Sequence, residues 1–181
     1  MAAGAGTRFA GPHHKLLSNV GGQQLWQRSL DQLIGAGLDH VVVITGALLL
    51  DVPAGVTVCH NDHYLDGQAT SLQVAVDHAR SLGVDAVVVG LADQPFVQSS
   101  AWRAVADAPP TCAIAVANYS GVRGPNPVRI ASTMWHLLPT RGDEGARSLI
   151  RAHPELVCDI ACLGSVADID TLEDFERWKN C

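Results

Sequence analysis

Hydrophobic and polar positions alternate along the chain in two patterns. Consecutive apolar residues, typical of buried strands, occur at residues 40–45, 55–59, 85–91, 112–117 and 157–163. Between these runs, apolar residues three or four positions apart predict helices over 24–37, 70–82, 99–106 and 131–138. A further helix is predicted to begin at residue 142, and Thr171 is predicted to cap the last helix. Strands that alternate with helices indicate βαβ units and a mostly parallel sheet.

The polar chemistry of the chain follows the predicted strands. Open α/β sheets bind ligands at the carboxyl ends of their strands, so the loops after the strands are the place to look for a site. The polar segments there are "GAGTR", "NDHYLDGQATS", "ADQP", "NYSGVRGPNP" and "ADIDT". The pattern therefore predicts a single ligand site assembled from these loops.

Composition narrows the class of protein. With 181 residues, 48% of them hydrophobic and 17% charged, the chain is expected to fold as one domain over residues 1–181. Its net charge of -6 argues against nucleic-acid binding, and no apolar run approaches the roughly 18 residues of a membrane span. Five cysteines without a CxxC pair, and no signal-peptide pattern, favour reduced thiols and a cytoplasmic location.

The first acid-free stretch, "AAGAGTRFAGPHHKLL" at residues 2–17, is rich in glycine and carries two cations. It is not a dinucleotide fingerprint, because Phe9 stands where the third glycine is needed, and it lacks the G-K-[ST] of a P-loop. Small residues that free backbone N–H groups for phosphate oxygens, beside Arg8 and Lys15, fit a polyphosphate cradle. An ordinary surface turn with solvated bases is the alternative for this loop alone.

Six segments spread over nearly the whole chain carry a resemblance. They are "AAGAGTRFAGPHHKLL", "NDHYLDGQATSL" at 61–72, "LADQPFV" at 91–97, "GPNPVRI" at 124–130, "GDEGAR" at 142–147 and "DIDTLEDF" at 168–175. In this order they resemble the motifs of the MobA/MocA-like nucleotidyltransferases, the molybdopterin guanylyl- and cytidylyltransferases. The glycine signature together with "GDEGAR" and "DIDT" resembles the cytidylyltransferase branch.

The resemblance implies a fold: a single-domain, three-layer Rossmann-like α/β nucleotidyltransferase fold, also called the nucleotide-diphospho-sugar transferase fold. Family members begin with a hydrophobic strand that leads into the leucine of the signature, and Met1 stands in that leucine's place here. We therefore expect the first strand to be truncated. Asn126 stands where the cytidylyltransferase pattern has histidine, which leaves the acceptor open.

The resemblance also implies roles for individual residues. Lys15, Arg8 and Asp93 are expected to be catalytic, with Lys15 neutralising the α- and β-phosphates and Arg8 holding the leaving pyrophosphate. Asp93 follows the strongest predicted strand and is expected to bind Mg²⁺ with Asp168 or Asp170, although Asp170 with Thr171 could equally cap the last helix. The expected nucleotide-binding set is Ala2, Ala3, Gly4, Ala5, Gly6, Thr7, Arg8, Lys15, Gly67, Thr70, Ser71 and Asp93, and the expected acceptor-binding set is Asn126, Asp143 and Arg147.

Three functions remain open on the sequence. The first is Mg²⁺-dependent transfer of CMP from CTP to molybdopterin, with release of pyrophosphate and with a molybdenum-enzyme maturation protein as a partner. The second is the same chemistry with GTP, or with a sugar phosphate or a small phosphorylated acid as acceptor. The third is a non-catalytic carrier of molybdenum cofactor or a nucleotide sensor. Asp93, Lys15 and the pair Asp168 and Asp170 favour an enzyme.

Overall fold

The computed structural model describes residues 1–6 and 13–164. The strands within these ranges are β1 (Asn19–Val20), β2 (Gln23–Gln24), β3 (Val41–Thr45), β4 (Val56–His60), β5 (Ala86–Val89), β6 (Ile114–Tyr119), β7 (Val122–Ala131) and β8 (Val157–Cys162). The α-helices are α1 (Leu25–Gly35), α2 (Gln68–Leu82), α3 (Ser99–Ala106) and α4 (Arg147–Ala152). Short 3-10 helices cover Lys15–Leu17, Tyr64–Asp66, Ser132–Leu137 and Pro154–Leu156.

The main strands form two blocks. In the first block β3 pairs with β4 in parallel, and in the second the order is β5-β7-β6-β8. Strand β7 runs antiparallel to β5 and β6, whereas β8 is parallel to β6. Residues at the start of the chain lie between the blocks: Ala2 forms a parallel bridge with Thr45, and the amide of Ala92 donates to the carbonyl of Met1 at 3.0 Å. Every main strand except β7 therefore runs in the same direction, as expected for the predicted mostly parallel sheet.

Helices cover both faces of this sheet. On one face, apolar residues of α2 pack against Ile114 and Val116 of β6, and on the other face α3 packs against Ala115 and Ala117 of the same strand. This alternation follows from the two-residue period of a strand, which directs successive side chains to opposite faces. Residues 114–117 of β6 are buried on both sides, so this part of the strand is a continuous apolar run. The three-layer arrangement predicted from the sequence is confirmed.

The helix boundaries have local causes. Helix α1 begins after Gln24, whose backbone N–H donates to the side chain of Gln27 in a capping box. Helix α2 ends at Gly83, which adopts a left-handed conformation at φ 69° and donates to the carbonyls of Ala79 and Arg80. Helix α3 occupies the predicted range 99–106, and the predicted helix at 131–138 is instead the 3-10 helix Ser132–Leu137. The predicted helix after Thr171 lies outside the described residues.

Strand β7 corrects the sequence analysis, which treated "NYSGVRGPNP" as a loop. The segment forms the β6–β7 hairpin, with Ser120 and Gly121 at positive φ in a tight two-residue turn. In β7, the residues that pair with neighbouring strands are Val122–Arg123 and 128–131. Pro125 and Pro127 lie between these two stretches, in a part of the strand where no backbone N–H is needed for pairing. The prolines therefore do not interrupt the strand, although they suggested a loop.

The cysteines also depart from the expectation of reduced thiols. Cys112, two positions before β6, forms a disulfide with Cys158 of the adjacent β8, while Cys59 and Cys162 are free thiols. Burial raises the pKa of both free thiols above their usual value. Among the described residues, no helix is both long enough and apolar enough to cross a membrane.

Candidate functional site

The glycine-rich start of the chain emerges at the carboxyl ends of β3 and β5. Ala2 and Ala3 are buried, and the amide of Ala2 donates to the carbonyl of Ile44 at 2.8 Å. The next residues, Gly4 and Ala5, are exposed, and Gly6 turns the chain with φ +63°. This is the position that the strand-end rule predicts for a ligand loop. Thr7 and Arg8, the following predicted site residues, lie outside the described ranges.

His14 links the two ends of this loop. Its Nδ1 accepts from the amide of Leu16 at 3.2 Å, so the proton is assigned to Nε2, which donates to the carbonyl of Gly4 at 2.8 Å. The imidazole also lies against Gly6, where a Cβ atom would approach its Nε2 to 3.0 Å. The contacts of His14 fix the start of the short helix that carries Lys15.

Lys15 and Asp93 form the central contact of the site. The ammonium group of Lys15 lies 2.7 Å from Oδ2 of Asp93, and the two side chains are only 14% and 17% exposed. The other carboxylate oxygen, Oδ1 of Asp93, is buried and has no hydrogen-bond partner among the described atoms. A buried acceptor without a donor costs free energy, so this oxygen is a candidate ligand for a cation.

A buried network around Asn61 organises the loop before α2. The side-chain amide of Asn61, 2% exposed, donates to the hydroxyls of Thr70 and Ser71 at 2.9 Å each. Its oxygen accepts from the amide of His63 at 2.9 Å, and Thr70 in turn donates to the carbonyl of Gly67 at 2.8 Å. The hydroxyls of Thr70 and Ser71, predicted nucleotide ligands, thus hold the loop in shape. Their contact with a nucleotide stays a prediction.

Two loops of the site are joined through backbone atoms. The amide of Ala69 donates to the carbonyl of Gly142 at 2.9 Å, and the amide of Gly142 donates to the carbonyl of Asp66 at 3.0 Å. Gly67 has φ +105°, and a Cβ atom there would lie 2.4 Å from the carbonyl carbon of Gly142. Only glycine permits both this conformation and this approach. The loop that begins "GD" is therefore fixed against the start of α2.

The predicted acceptor residues are only partly brought together. Asn126, 8% exposed, donates from its side chain to that of the buried Gln94 at 2.8 Å. Asn126 and Arg147 line one crevice of about 20 Å³, together with Gln68 and Glu144. Asp143 is exposed and does not line it. Asn126 is thus connected through Gln94 to the strand end that carries Asp93.

The structure brings the glycine-rich start, Lys15 and Asp93 together, whereas Asp168 and Asp170 lie outside the described residues. Within the described part of the chain, no cluster of three or more His, Cys, Asp or Glu side chains could hold a metal ion. Sequence reasoning missed Asn61 and Gln94, and it did not reveal the contacts of His14 with Gly4 and Leu16. In the sequence, Asn61 comes shortly after the predicted strand 55–59, and Gln94 is next to Asp93. Their burial could not be predicted, because it depends on contacts between distant segments.

Comparison with known proteins gives matches over most of the chain. The family model described as the MobA-like NTP transferase domain matches residues 1–157. The purine catabolism protein PucB of Bacillus subtilis (strain 168) is 29% identical over 97% of this chain and 92% of its own length.

Solved structures share the fold over almost the whole chain. A nucleotidyl transferase from Methanothermobacter thermautotrophicus matches with a TM-score of 0.80 and 21% identity, covering 99% of this chain and 93% of that one. The Rv0371c protein of Mycobacterium tuberculosis H37Rv, in complex with manganese, matches with a TM-score of 0.73 and 27% identity over 96% and 95%. The predicted single-domain nucleotidyltransferase fold is confirmed.

Proposed function

We propose that this chain, which belongs to the family of the MobA-like NTP transferase domain and is therefore a nucleotidyltransferase, transfers CMP from CTP to molybdopterin. An oxygen of the acceptor phosphate bonds to the α-phosphorus, the bond from that phosphorus to the bridging oxygen breaks, and pyrophosphate leaves. The acceptor is already an anion, so the reaction needs no serine or cysteine nucleophile. It needs cations and in-line positioning instead.

The contact between Lys15 and Asp93 carries the proposal. It joins the Lys15 ammonium, on the segment after the glycine-rich loop, to a carboxylate that follows β5. In the absence of nucleotide, Asp93 neutralises Lys15. When a triphosphate binds, Lys15 exchanges this carboxylate for the α- and β-phosphates, because three ammonium donors on a flexible stem can turn toward the new anion.

A divalent cation fits the same place. Oδ1 of Asp93 is buried without a hydrogen-bond partner among the described atoms, and Mg²⁺ binds one or two carboxylates together with phosphate oxygens and waters. The manganese complex of Rv0371c supports a divalent ion in a related fold. We propose that Asp93 holds Mg²⁺ with Asp168 or Asp170, where the ion supplies charge neutralisation for the triphosphate.

The remaining predicted residues have proposed roles around this centre. We propose that the exposed backbone of Gly4 and Ala5, with Thr7 and Arg8, receives the triphosphate. The loop at Gly67, Thr70 and Ser71 receives the base and ribose, and its rigidity comes from Asn61.

We propose that the acceptor binds beside Asn126 and Arg147, which line one crevice, and that the exposed Asp143 also contacts it. The choice of CTP and of a pterin acceptor rests on the resemblance of "GDEGAR" and "DIDT". We propose a molybdenum-enzyme maturation protein as the partner that receives the product.

Pyrophosphate release tests the proposal. The protein is incubated with each of the four ribonucleoside triphosphates, with and without Mg²⁺, and with molybdopterin, a sugar phosphate or a small phosphorylated acid. We expect release with CTP and molybdopterin only when Mg²⁺ is present. Preference for GTP or for another acceptor would replace the substrate assignment, and no release in any combination would favour a carrier or sensor.

A pair of variants tests the role of Lys15. Lys15→Met and Arg80→Met each remove the cation of an ion pair with an aspartate, but Arg80 lies on the outer face of α2. We expect Lys15→Met to lower kcat/KM by about 100-fold or more, because fixed cations stabilise the charge of the transition state. Arg80→Met should leave kcat/KM unchanged. Equal activity of the two variants would remove Lys15 from the mechanism.

A further inference from the structure

Gln94 is a buried polar residue to which the proposed reaction assigns no role. It follows Asp93 directly and is 2% exposed. Its main chain is held on both sides, because its amide donates to the carbonyl of Leu91 and its carbonyl accepts from the amide of Val97, at 3.4 Å each. Its side-chain oxygen Oε1 accepts from Nδ2 of Asn126 at 2.8 Å. A fixed, buried acceptor therefore lies beside a predicted acceptor-binding residue.

The backbone of Asn126 is held by a separate contact. Its carbonyl accepts from the hydroxyl of Tyr119 at 3.2 Å, between the adjacent strands β6 and β7. Tyr119 is itself buried, and burial raises the pKa of its hydroxyl, which therefore keeps its proton and remains a donor. The contact with Gln94 acts on a different part of Asn126, its side-chain carboxamide.

Asn126 lines the crevice of about 20 Å³, whereas Gln94 is not among the described residues around it. A space of this size holds one group about as large as a water molecule. Arg147 lines the same crevice, and its guanidinium can only donate hydrogen bonds. A molecule that contacts Asn126 here does so through a single polar group, and Gln94 influences that group through Asn126.

The hydrogen bond to Gln94 determines how the planar carboxamide of Asn126 is turned. Nδ2 is directed at Oε1 of Gln94, an orientation assigned from this hydrogen bond, and Oδ1 is therefore on the other side of the group. We propose that Gln94 is a positioning residue that keeps Nδ2 of Asn126 turned inward, so that Oδ1 accepts from an N–H or O–H group of the phosphorylated acceptor. The inference rests on the proposed function, and it restricts the acceptors to phosphorylated molecules that carry such a donor.

Two substitutions of Gln94 test this role in the pyrophosphate assay, with the most active acceptor among molybdopterin, a sugar phosphate and a small phosphorylated acid. Gln94→Met has a similar volume but no carboxamide oxygen. We expect it to raise KM for the acceptor by about 10-fold, because Asn126 loses its partner, and to leave kcat within about 2-fold. Gln94→Glu keeps an oxygen that accepts from Nδ2, so KM should stay within about 3-fold of the wild-type value. An equal rise in KM for both variants would overturn the assigned orientation, and a rise of about 10-fold in Gln94→Glu would do so even if Gln94→Met failed to fold.

A matched control and a double substitution separate positioning from stability. Gln32 also accepts through its side-chain oxygen, from the amide and hydroxyl of Ser99 at 3.0 and 3.1 Å, but it lies between α1 and α3. Gln32→Met should therefore lower the melting temperature and leave KM for the acceptor unchanged. In an Asn126→Ala background, Gln94→Met should raise KM no further, because its effect passes through Asn126. A further rise of about 10-fold in that background would refute the positioning role.

Nuclear magnetic resonance follows the contact itself, whether or not the protein is active. Hydrogen exchange of the side-chain amide of Asn126 should be about 10-fold faster in Gln94→Met than in the wild type, and unchanged in Gln94→Glu. An unchanged rate in Gln94→Met would overturn the inference. A wild-type protein that releases no pyrophosphate with any acceptor would overturn the proposed function as well. An active wild type with the same KM for the acceptor as Gln94→Met would overturn this inference alone.

Discussion

Asn61 offers a direct test of how the loop before α2 is held. Its side chain is 2% exposed and makes three hydrogen bonds, donating to the hydroxyls of Thr70 and Ser71 and accepting from the amide of His63. Asn61→Ala removes all three at once and leaves a small void. The substitution therefore releases the loop from β4 without touching a predicted catalytic residue.

The magnitude follows from these contacts. Each hydrogen bond contributes about 1 kcal/mol to the free energy of unfolding, and the polar groups left behind in a buried site lose their partners. The total is about 3 kcal/mol, which for a chain of 181 residues lowers the melting temperature by roughly 6–12 °C. Nucleotide affinity should fall as well, because the loop must be ordered when the nucleotide binds.

Chemical denaturation and calorimetric titration with CTP measure both effects. Asn19→Ala is the matched control, since it makes the same change on an exposed residue of β1 and should alter stability by less than about 0.5 kcal/mol. If Asn61→Ala unfolds within 0.5 kcal/mol of the control, as a rough limit, the buried network does not hold the loop and the reasoning is wrong.

Two further predictions concern backbone and charge. Gly67→Ala should lower the free energy of unfolding, measured by urea denaturation, by about 2–4 kcal/mol. Residue 67 has φ +105°, and the added Cβ would lie 2.4 Å from the carbonyl carbon of Gly142. An unchanged denaturation midpoint would show that the two loops can separate freely. Burial lowers the pKa of the Met1 ammonium from 8.0 to about 6, against the opposing charge of Asp93. Protonation of the Met1 amino group is therefore disfavoured in the folded state. The free energy of unfolding should rise by up to roughly 2–3 kcal/mol from pH 6 to pH 8, and acetylation of this amino group should abolish the rise.

Elements whose sequence signal is local were predictable. Helix α3 was predicted over its observed range because a polar start and a three-to-four spacing of apolar residues lie within eight positions. Strand β7 was not predicted, because Pro125 and Pro127 indicate a loop unless the pairing of the neighbouring residues is known. The disulfide between Cys112 and Cys158 depends in the same way on the pairing of β6 with β8.

The same distinction applies to the candidate site. The rule that loops at strand ends carry the ligand site brought attention to the glycine-rich start and to Asp93, and the structure brings Lys15 into contact with that carboxylate. The partners of Asn126 and Thr70 could not be read from the sequence. Gln94 lies 32 positions from Asn126, and a polar residue buried by such a distant segment has no local pattern that reveals its partner.

The joint between the loops at residues 66–69 and 142 has a consequence for how this fold can diversify. Its two hydrogen bonds use only amide and carbonyl groups, which every residue except proline supplies in full. Side chains along both loops can therefore be exchanged for others while the spacing between the loops is preserved. A new substrate preference can arise here by ordinary point substitutions, provided that positions 67 and 142, both at positive φ, keep glycine.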